Sequence, residues 1–524
     1  MDENKNLPPE EPVRIPPQPR YQPYTYTPPP RYVFPFGRRE LCFAAAILIL
    51  CIALCNCLFY AGIGLGFGLC AAGILISTFL YLRSCGHRPG RYTAALLGLC
   101  LLLTAAVPLS DDDAMKLLLI CLLLAMPSLA FCLMADRNRR SPDGVLSLLD
   151  APRALFVFGF GRMAESGRGI VQSCRDGTVS RRGGSVVLGL LIAVPVVAVL
   201  VPLLMFADAA FEGLVELLPE FQWHEIISSA LLGFGTACVF YTRGAALHHL
   251  PETETASKVR KGLNAITVNT VLIAAALVYV AYLISQLAYF VGGFSGILPE
   301  DYTMAEYARR GFFEMGWLCA INLGLIALSM GLVTAKGKAP LLTKLLCLFL
   351  GAVTLFLVAA ASAKMLLYIG SYGLTRLRVL TEVFMLWLAA VTVAVCVWIF
   401  WPKTAYMKFA VILALILWAA MMTADVDRQV ARYNVRSYQS GKLETVDVYH
   451  LGQLSDSAVP YLLELTEAED ALIANRARNI LRNKAEAFAH RDFDLRSWNL
   501  PEARARKLLE EDIADFLPKA SVTP

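Results

Sequence analysis

The chain has 524 residues, of which 57% are apolar and only 17% charged, and its mean hydropathy is +0.56. Soluble domains carry about 25% charged residues, so the composition argues against the roughly three or four globular domains that the length alone suggests. A net charge of +5 is too small to favour a nucleic-acid partner, and no cofactor-binding motif is legible.

Residues 1–36 are rich in Pro and Tyr, from Pro8 to Pro35. Such a stretch cannot build a packed core, which predicts a disordered cytoplasmic tail. No short apolar region with a cleavage site follows the start, so it is not a signal peptide. Leu-, Ala- and Val-rich runs then recur from Leu41 to Met422. About 20 such residues cross a bilayer as a helix. Four spans are expected within 37–135: Leu41–Tyr60, Ile63–Leu82, Tyr92–Leu109 and Ala114–Ala135. A basic amphipathic loop follows at 136–185, its arginines interleaved with Phe156, Phe158, Phe160 and Ile170. That pattern suits a helix lying on anionic lipid.

Seven more spans are expected in a core at 186–423. They are Val186–Phe206, Ile226–Tyr241 (the weakest), Asn264–Phe290, Phe312–Val333, Leu341–Ala363, Thr381–Trp401 and Ala405–Met422. Residues 424–524 read as a soluble helical domain. Leu451, Leu454, Ala458, Leu462 and Leu465 recur at helical spacing, with a helix from Ser455 that tolerates Pro460 early. Ala471–Phe488 and Ala503–Phe516 read as two further helices. The fold class expected is all-α: a polytopic bundle of about 11 spans with a small C-terminal helical extracytoplasmic domain.

Orientation follows from Lys and Arg in short loops. Arg38 and Arg39, Arg83 to Arg91, Arg137 to Arg182, Arg243 to Lys261, Lys336 and Lys338, and Lys403 mark every second loop as basic. The intervening loops hold Asp111–Asp113, Asp208 to Glu225, and Glu300 to Glu306. This places the N-terminus in the cytoplasm and the C-terminus outside. Lys364, Arg376 and Arg378 break the alternation, because they fall in a loop placed outside.

The stretch ASAKMLLYIGSYGLTRLRVLTEVFMLWL, Ala361–Leu388, resembles a signature of an uncharacterised family of bacterial multi-pass membrane proteins, DUF4153, with DUF4173 as a related family. ADAAF at Ala207–Phe211, YARRGFFEMGWLCAIN at Tyr307–Asn322 and the segment Arg432–Leu465 are similar to other parts of that family. Lys364 stands where the resemblance leads one to expect Arg, which keeps the charge but loses the planar fork. The resemblance implies a bacterial plasma-membrane location and no particular chemistry.

Several motifs have plain structural readings. Cys55 and Cys57 lack a third ligand and read as packing residues. The glycines of GIGLGFG, Gly62 to Gly68, read as close helix packing rather than a phosphate loop. His224 and Glu225 lack the second His of a zinc motif. His248 and His249 read as a solvated pair, and Asp111–Asp113 as an exposed turn. No metal site and no catalytic group are expected.

The candidate binding site is a polar cluster at the outer membrane boundary: Asp208, Glu212, Arg309, Arg310, Glu314, Asn322, Lys364, Tyr372, Arg376, Arg378 and Glu382. Asp208 with Glu212, Arg310 with Glu314 and Arg378 with Glu382 are each four apart and share helix faces. Ionisable groups at membrane depth are costly and are paired or face a cavity. Amphipathic segments at Tyr302–Arg310 and Tyr368–Leu377 are expected to border it. Within the second, Gly373 breaks a helix and Thr375 caps a re-entrant or surface helix. The functional expectation is a non-enzymatic sensor, scaffold or assembly factor of the cell envelope. Its partners would be the lipid bilayer and a protein bound by the C-terminal domain. The alternatives are a small-solute transporter and an enzyme acting on a lipid-linked substrate at the outer face.

Overall fold

The computed structural model describes residues 33–176, 223–250, 262–294, 312–334, 338–491 and 494–516, with isolated residues in 189–207; side chains are not described for 174, 176, 223, 286–294, 312–314 and 511–516. No strand occurs among the described residues. The helices in chain order are α1 (Arg38–Asn56), α2 (Leu65–Ser84), α3 (Arg91–Ala106), α4 (Asp113–Met134), α5 (Asp150–Phe156), α6 (Met163–Asp176) and α7 (Trp223–His249). Then come α8 (Ala265–Phe294), α9 (Phe312–Thr334), α10 (Leu341–Tyr372), α11 (Arg376–Phe400) and α12 (Tyr406–Ala424). Five more close the chain: α13 (Val426–Gln439), α14 (Val448–Gly452), α15 (Val459–Leu465), α16 (Ala471–Ala489) and α17 (Leu500–Phe516).

Ten helices among the described residues are long and apolar enough to cross a membrane, namely α1 to α4 and α7 to α12. Their outward faces are as apolar as their inward ones. Ile49 on α1 is 68% exposed, Leu117 on α4 63%, Ile266 on α8 72% and Leu367 on α10 63%. A water-soluble bundle puts charge on that face; a bilayer asks for hydrocarbon. The protein is therefore a multi-pass membrane protein. Each of these helices answers one expected span, and the remaining one, Val186–Phe206, is described at isolated residues only.

α1 packs on α7 and α2; α3 packs on α2 and α4; and α10 sits among α8, α9 and α11. α12 touches both α11 and α3 and so joins the two groups. The two ends of the bundle differ. At the basic end Arg39 Nη1 donates to Ser84 O at 3.1 Å, and Lys408 Nζ lies 2.9 Å from Asp143 Oδ1. Phe36 N–H donates to Ser173 Oγ at this same end. At the opposite end Asn56 Nδ2 donates to Ser229 Oγ at 3.3 Å. Three of the helices that begin there start on side-chain caps: Asp112 accepts from Ala114 N and Met115 N, Thr375 from Arg378 N, and Asp425 from Arg428 N. Each cap satisfies N–H groups that the first turn leaves open. α10 has 32 residues, about 48 Å at 1.5 Å per residue, which exceeds a hydrocarbon layer of about 30 Å. Its length lets the turn at Gly373 reach the helices that follow α12.

Helices α13 to α17 form a cap on that end, and their buried apolar side chains run on into those of the spans. Val430, Val435, Leu451, Leu462 and Leu481 belong to one buried apolar cluster with Leu103, Met115, Leu415 and Met422 of the spans. Pro460 sits in the first turn of α15, where its missing N–H costs nothing.

Several sequence expectations change in detail. Phe34 and Phe36, counted with the Pro-rich tail, are buried, and Phe34 stacks on His249 at 5.9 Å. The weak sixth span is longer than expected, because α7 carries on through Arg243 to His249. Arg243, placed in a loop by its charge, is fully buried: Nη1 donates to Ser128 Oγ at 2.7 Å, and the guanidinium lies 4.7 Å from the Phe240 ring centroid. Its planar head is held by a hydroxyl and aromatic faces, while its Nε has no hydrogen-bond partner among the described residues. His248 and His249 are not a solvated pair: His248 lies 3.4 Å from His87 and His249 3.7 Å from Glu40. Arg137 caps their helix by donating to the carbonyls of Leu247 and His248 at 3.1 and 3.3 Å, as a cation at a helix C-terminus should.

Candidate functional site

The cap meets the bundle around Arg376, the first residue of α11. Its Nε donates to Asp427 Oδ1 at 2.9 Å and its Nη2 to Asp427 Oδ2 at 2.7 Å, a two-pronged pair between guanidinium and carboxylate. Such pairs are the strongest of the charge-assisted hydrogen bonds. Asp112 Oδ2 lies 2.6 Å from the same Nε. The single Nε–H points to Asp427, so Asp112 contributes charge rather than a hydrogen bond. Both carboxylates are almost fully buried, Asp112 at 5% and Asp427 at 2% exposure. Three segments far apart in sequence thus share one cation: the α3–α4 turn, the α10–α11 turn and the start of α13.

Further contacts fix the same junction. Ser455 N–H donates to Asp427 Oδ2 at 2.8 Å, and Ser457 Oγ donates to Asp425. Asn434 grips the α10–α11 turn from α13. Its Oδ1 accepts from Leu374 N at 2.6 Å and its Nδ2 donates to Leu374 O at 2.7 Å. Gly373 stands at φ +77°, and a Cβ there would lie 2.6 Å from Asn434 Oδ1. Glycine is therefore required twice over, by the turn and by the approach. Beside this, Lys116 Nζ lies 3.6 Å from Asp111 Oδ1, and Lys484 Nζ lies 2.7 Å from Asp456 Oδ1. Burial pushes the Asp111 carboxyl up to about 6, with Lys116 opposing and Asp456 adding to the rise. Burial also raises Asp112, against the pull of Arg376, and raises Asp425, against its hydrogen bond from Ser457.

A second contact lies across the end of α1. Leu65 N–H donates to Trp498 O and Gly66 N–H to Arg496 O, each at 2.9 Å. Arg496 Nη1 donates to Asn56 Oδ1. A Cβ on Gly64 would come within 2.3 Å of Ser497 backbone atoms. The GIGLGFG glycines thus divide their work. Gly64 and Gly66 admit the 496–498 backbone of the cap, and Gly68 lets α2 approach Thr104 O of α3.

Of the predicted site residues, Arg376, Arg378 and Tyr372 share the α10–α11 turn. Arg378 Nη1 donates to the carbonyls of Tyr372 and Gly373, and its guanidinium lies 4.1 Å from the Tyr368 ring centroid. Among the described residues it forms no ion pair with Glu382, which sits half-buried farther along α11 and hydrogen-bonds to Ser362. Lys364 is half-buried within α10. Asn322 lies inside the bundle, accepting from Tyr279 at 2.7 Å and donating to Thr354 Oγ1 at 3.1 Å. Asp208, Glu212, Arg309, Arg310 and the side chain of Glu314 lie outside the described residues, as does the segment Tyr302–Arg310. Tyr368–Leu377 is not a separate amphipathic or re-entrant segment. α10 runs unbroken to Tyr372, and Thr375 caps α11 after a short turn. Asp111–Asp113 is not an exposed turn either, since Asp112 is buried against Arg376.

The residues that sequence reasoning missed are Asp112, Asp425, Asp427 and Asn434. One signal pointed to them: Arg376 broke the charge alternation, and a cation on the acidic side needs nearby carboxylates. With this geometry in hand, comparison with known proteins gives one result. The profile of the family described as "Domain of unknown function (DUF4153)" matches residues 43–465, which include every partner of Arg376 and Asn434 named above. No curated protein and no solved structure matches the chain.

Proposed function

The chain belongs to the DUF4153 family, and from that premise we propose that it is a non-enzymatic scaffold or assembly factor that presents the α13–α17 cap to a protein partner. In this reading the basic end faces the cytoplasm of a bacterial cell and the cap lies on the outer side of its plasma membrane. Counting Val186–Phe206 as a span gives eleven crossings and puts the two chain ends on opposite sides.

The observation that carries the reading is the continuity of the core. Val430, Leu451 and Leu462 of the cap share one apolar cluster with Leu103, Met115 and Leu415 of the spans. Arg376 and Asn434 tie its polar edge to the bundle. A cap held this way keeps one orientation and passes a load on its surface to α3, α4, α11 and α12. Its surface offers Tyr449 at 72% exposure and Leu472 at 57%. Aromatic and aliphatic side chains set among polar ones are what protein interfaces use as anchors.

The test is photo-crosslinking from Tyr449 and Leu472 in the full-length protein in intact cells. The reading expects a discrete adduct with one second protein, weakened when Arg376→Ala loosens the cap. A folded, membrane-inserted protein that gives no adduct from either position would overturn it.

A further inference from the structure

We infer that residues 145–160 form an apolar foot seated in the headgroup layer of acidic phospholipid at the basic end. The inference does not rest on the scaffold reading. Between α4 and α6 the chain makes a 3-10 turn, Val145–Leu149, and then α5. Its inward side is locked. Asp150 is fully buried, with Arg140 N–H donating to its Oδ2 at 3.3 Å and Arg153 Nη1 lying 3.8 Å from its Oδ1. Ala151, Ala154 and Phe158 are buried as well.

The outward side is apolar. Leu146, Leu149, Phe156, Val157 and Phe160 are 47–59% exposed, and the rings of Phe156 and Phe160 stack at 6.0 Å. Fixing such groups rigidly into water would be unfavourable, because apolar surface is better removed from water. Two observations identify what covers them. The first is charge: Arg139 and Arg168, which flank the foot in sequence, are exposed. Apolar side chains beside arginines suit the boundary between acyl chains and anionic headgroups, not water and not a basic protein. The second is continuity. Asp143, just before the foot, is ion-paired with Lys408 of α12, and the next residue, Phe409, is 45% exposed on that membrane helix. Lys408 stands in the first turn of α12, so this ion pair holds the foot at the level where a membrane-crossing helix begins.

The experiment uses the full-length protein in nanodiscs of phosphatidylcholine, with or without phosphatidylglycerol. An environment-sensitive fluorescent amino acid replaces Phe156, Phe160 or, as a polar control, the exposed Ser141. Positions 156 and 160 should be quenched severalfold more by brominated lipid than by iodide, and 141 the reverse. Phosphatidylglycerol should deepen the quenching at 156, and the double variant Arg139→Glu, Arg168→Glu should lose that gain. Iodide quenching at 156 and 160 as strong as at 141 would overturn the inference. So would shielding from both quenchers, which means that a protein covers the foot.

Discussion

Asn434 holds the backbone of Leu374 by both its polar atoms, accepting from its N–H at 2.6 Å and donating to its carbonyl at 2.7 Å. The pair joins the turn that ends α10 to the middle of α13, and it reproduces within one side chain the pairing of two β-strand residues. Asn434→Ala leaves both backbone groups without their partner, at a cost of about 1–3 kcal/mol. Hydrogen exchange at residues 374–376 should speed up more than elsewhere in the cap. Unchanged exchange there would show that the clamp holds nothing.

Arg376→Ala removes the one cation shared by two buried carboxylates. Breaking a buried pair is costly because the remaining charge is stranded. Arg376 itself is about a quarter exposed (28%), so the expected loss is about 2–4 kcal/mol. Arg376→Lys should recover part of it, since it keeps the charge and loses the fork. In a double-mutant cycle with Asp427→Asn, the combined loss should fall well short of the sum, measured by thermal unfolding in detergent.

Gly64 faces the cap backbone with no room for a side chain. Gly64→Ala should shift residues 496–498 and expose the end of the chain to protease, at a cost of about 1–3 kcal/mol. Gly98→Ala is the control: nothing lies within 4 Å of that position, and alanine favours its helix. Equal protease resistance in both variants would contradict the seating described for Gly64.

The pH dependence has a definite sign. Asp111 is raised to about 6 by burial, so the folded protein holds this proton more tightly than the unfolded chain does. Its neutral form costs the fold nothing at low pH; stability falls as pH rises from the unfolded value, 3.8, through about 6. Asp112 and Asp425 shift in the same direction. The cap should therefore be held more tightly near about pH 5 than near pH 8. Asp111→Asn should flatten that difference in thermal melts at the two values. A wild-type cap more stable at the higher pH would contradict it.

Hydropathy made the spans legible because the bilayer asks for one property over about 20 residues. Local rules found the ends of several elements, including the break at Gly373, the cap at Thr375 and the helix that tolerates Pro460. They could not find the partners of Arg376, because Asp112 and Asp427 come from segments far away in the chain. Arg243 shows the same limit from the other side. Its charge marked a loop, yet Ser128 and the rings of Phe131 and Phe240 make its burial tolerable. The two family-like stretches, Ala361–Leu388 and Arg432–Leu465, read as separate signatures in the sequence; in the fold they touch at Leu374 and Asn434.

In the proposed orientation the cap and the foot sit on opposite sides of the membrane, with the cap outermost. Cysteines introduced at exposed Tyr449 in the cap and exposed Ser141 beside the foot test it against the background of the unmodified chain. An impermeant maleimide applied to intact cells should label position 449 at once and position 141 only after the membrane is opened. Labelling of both positions from the same side would contradict the account.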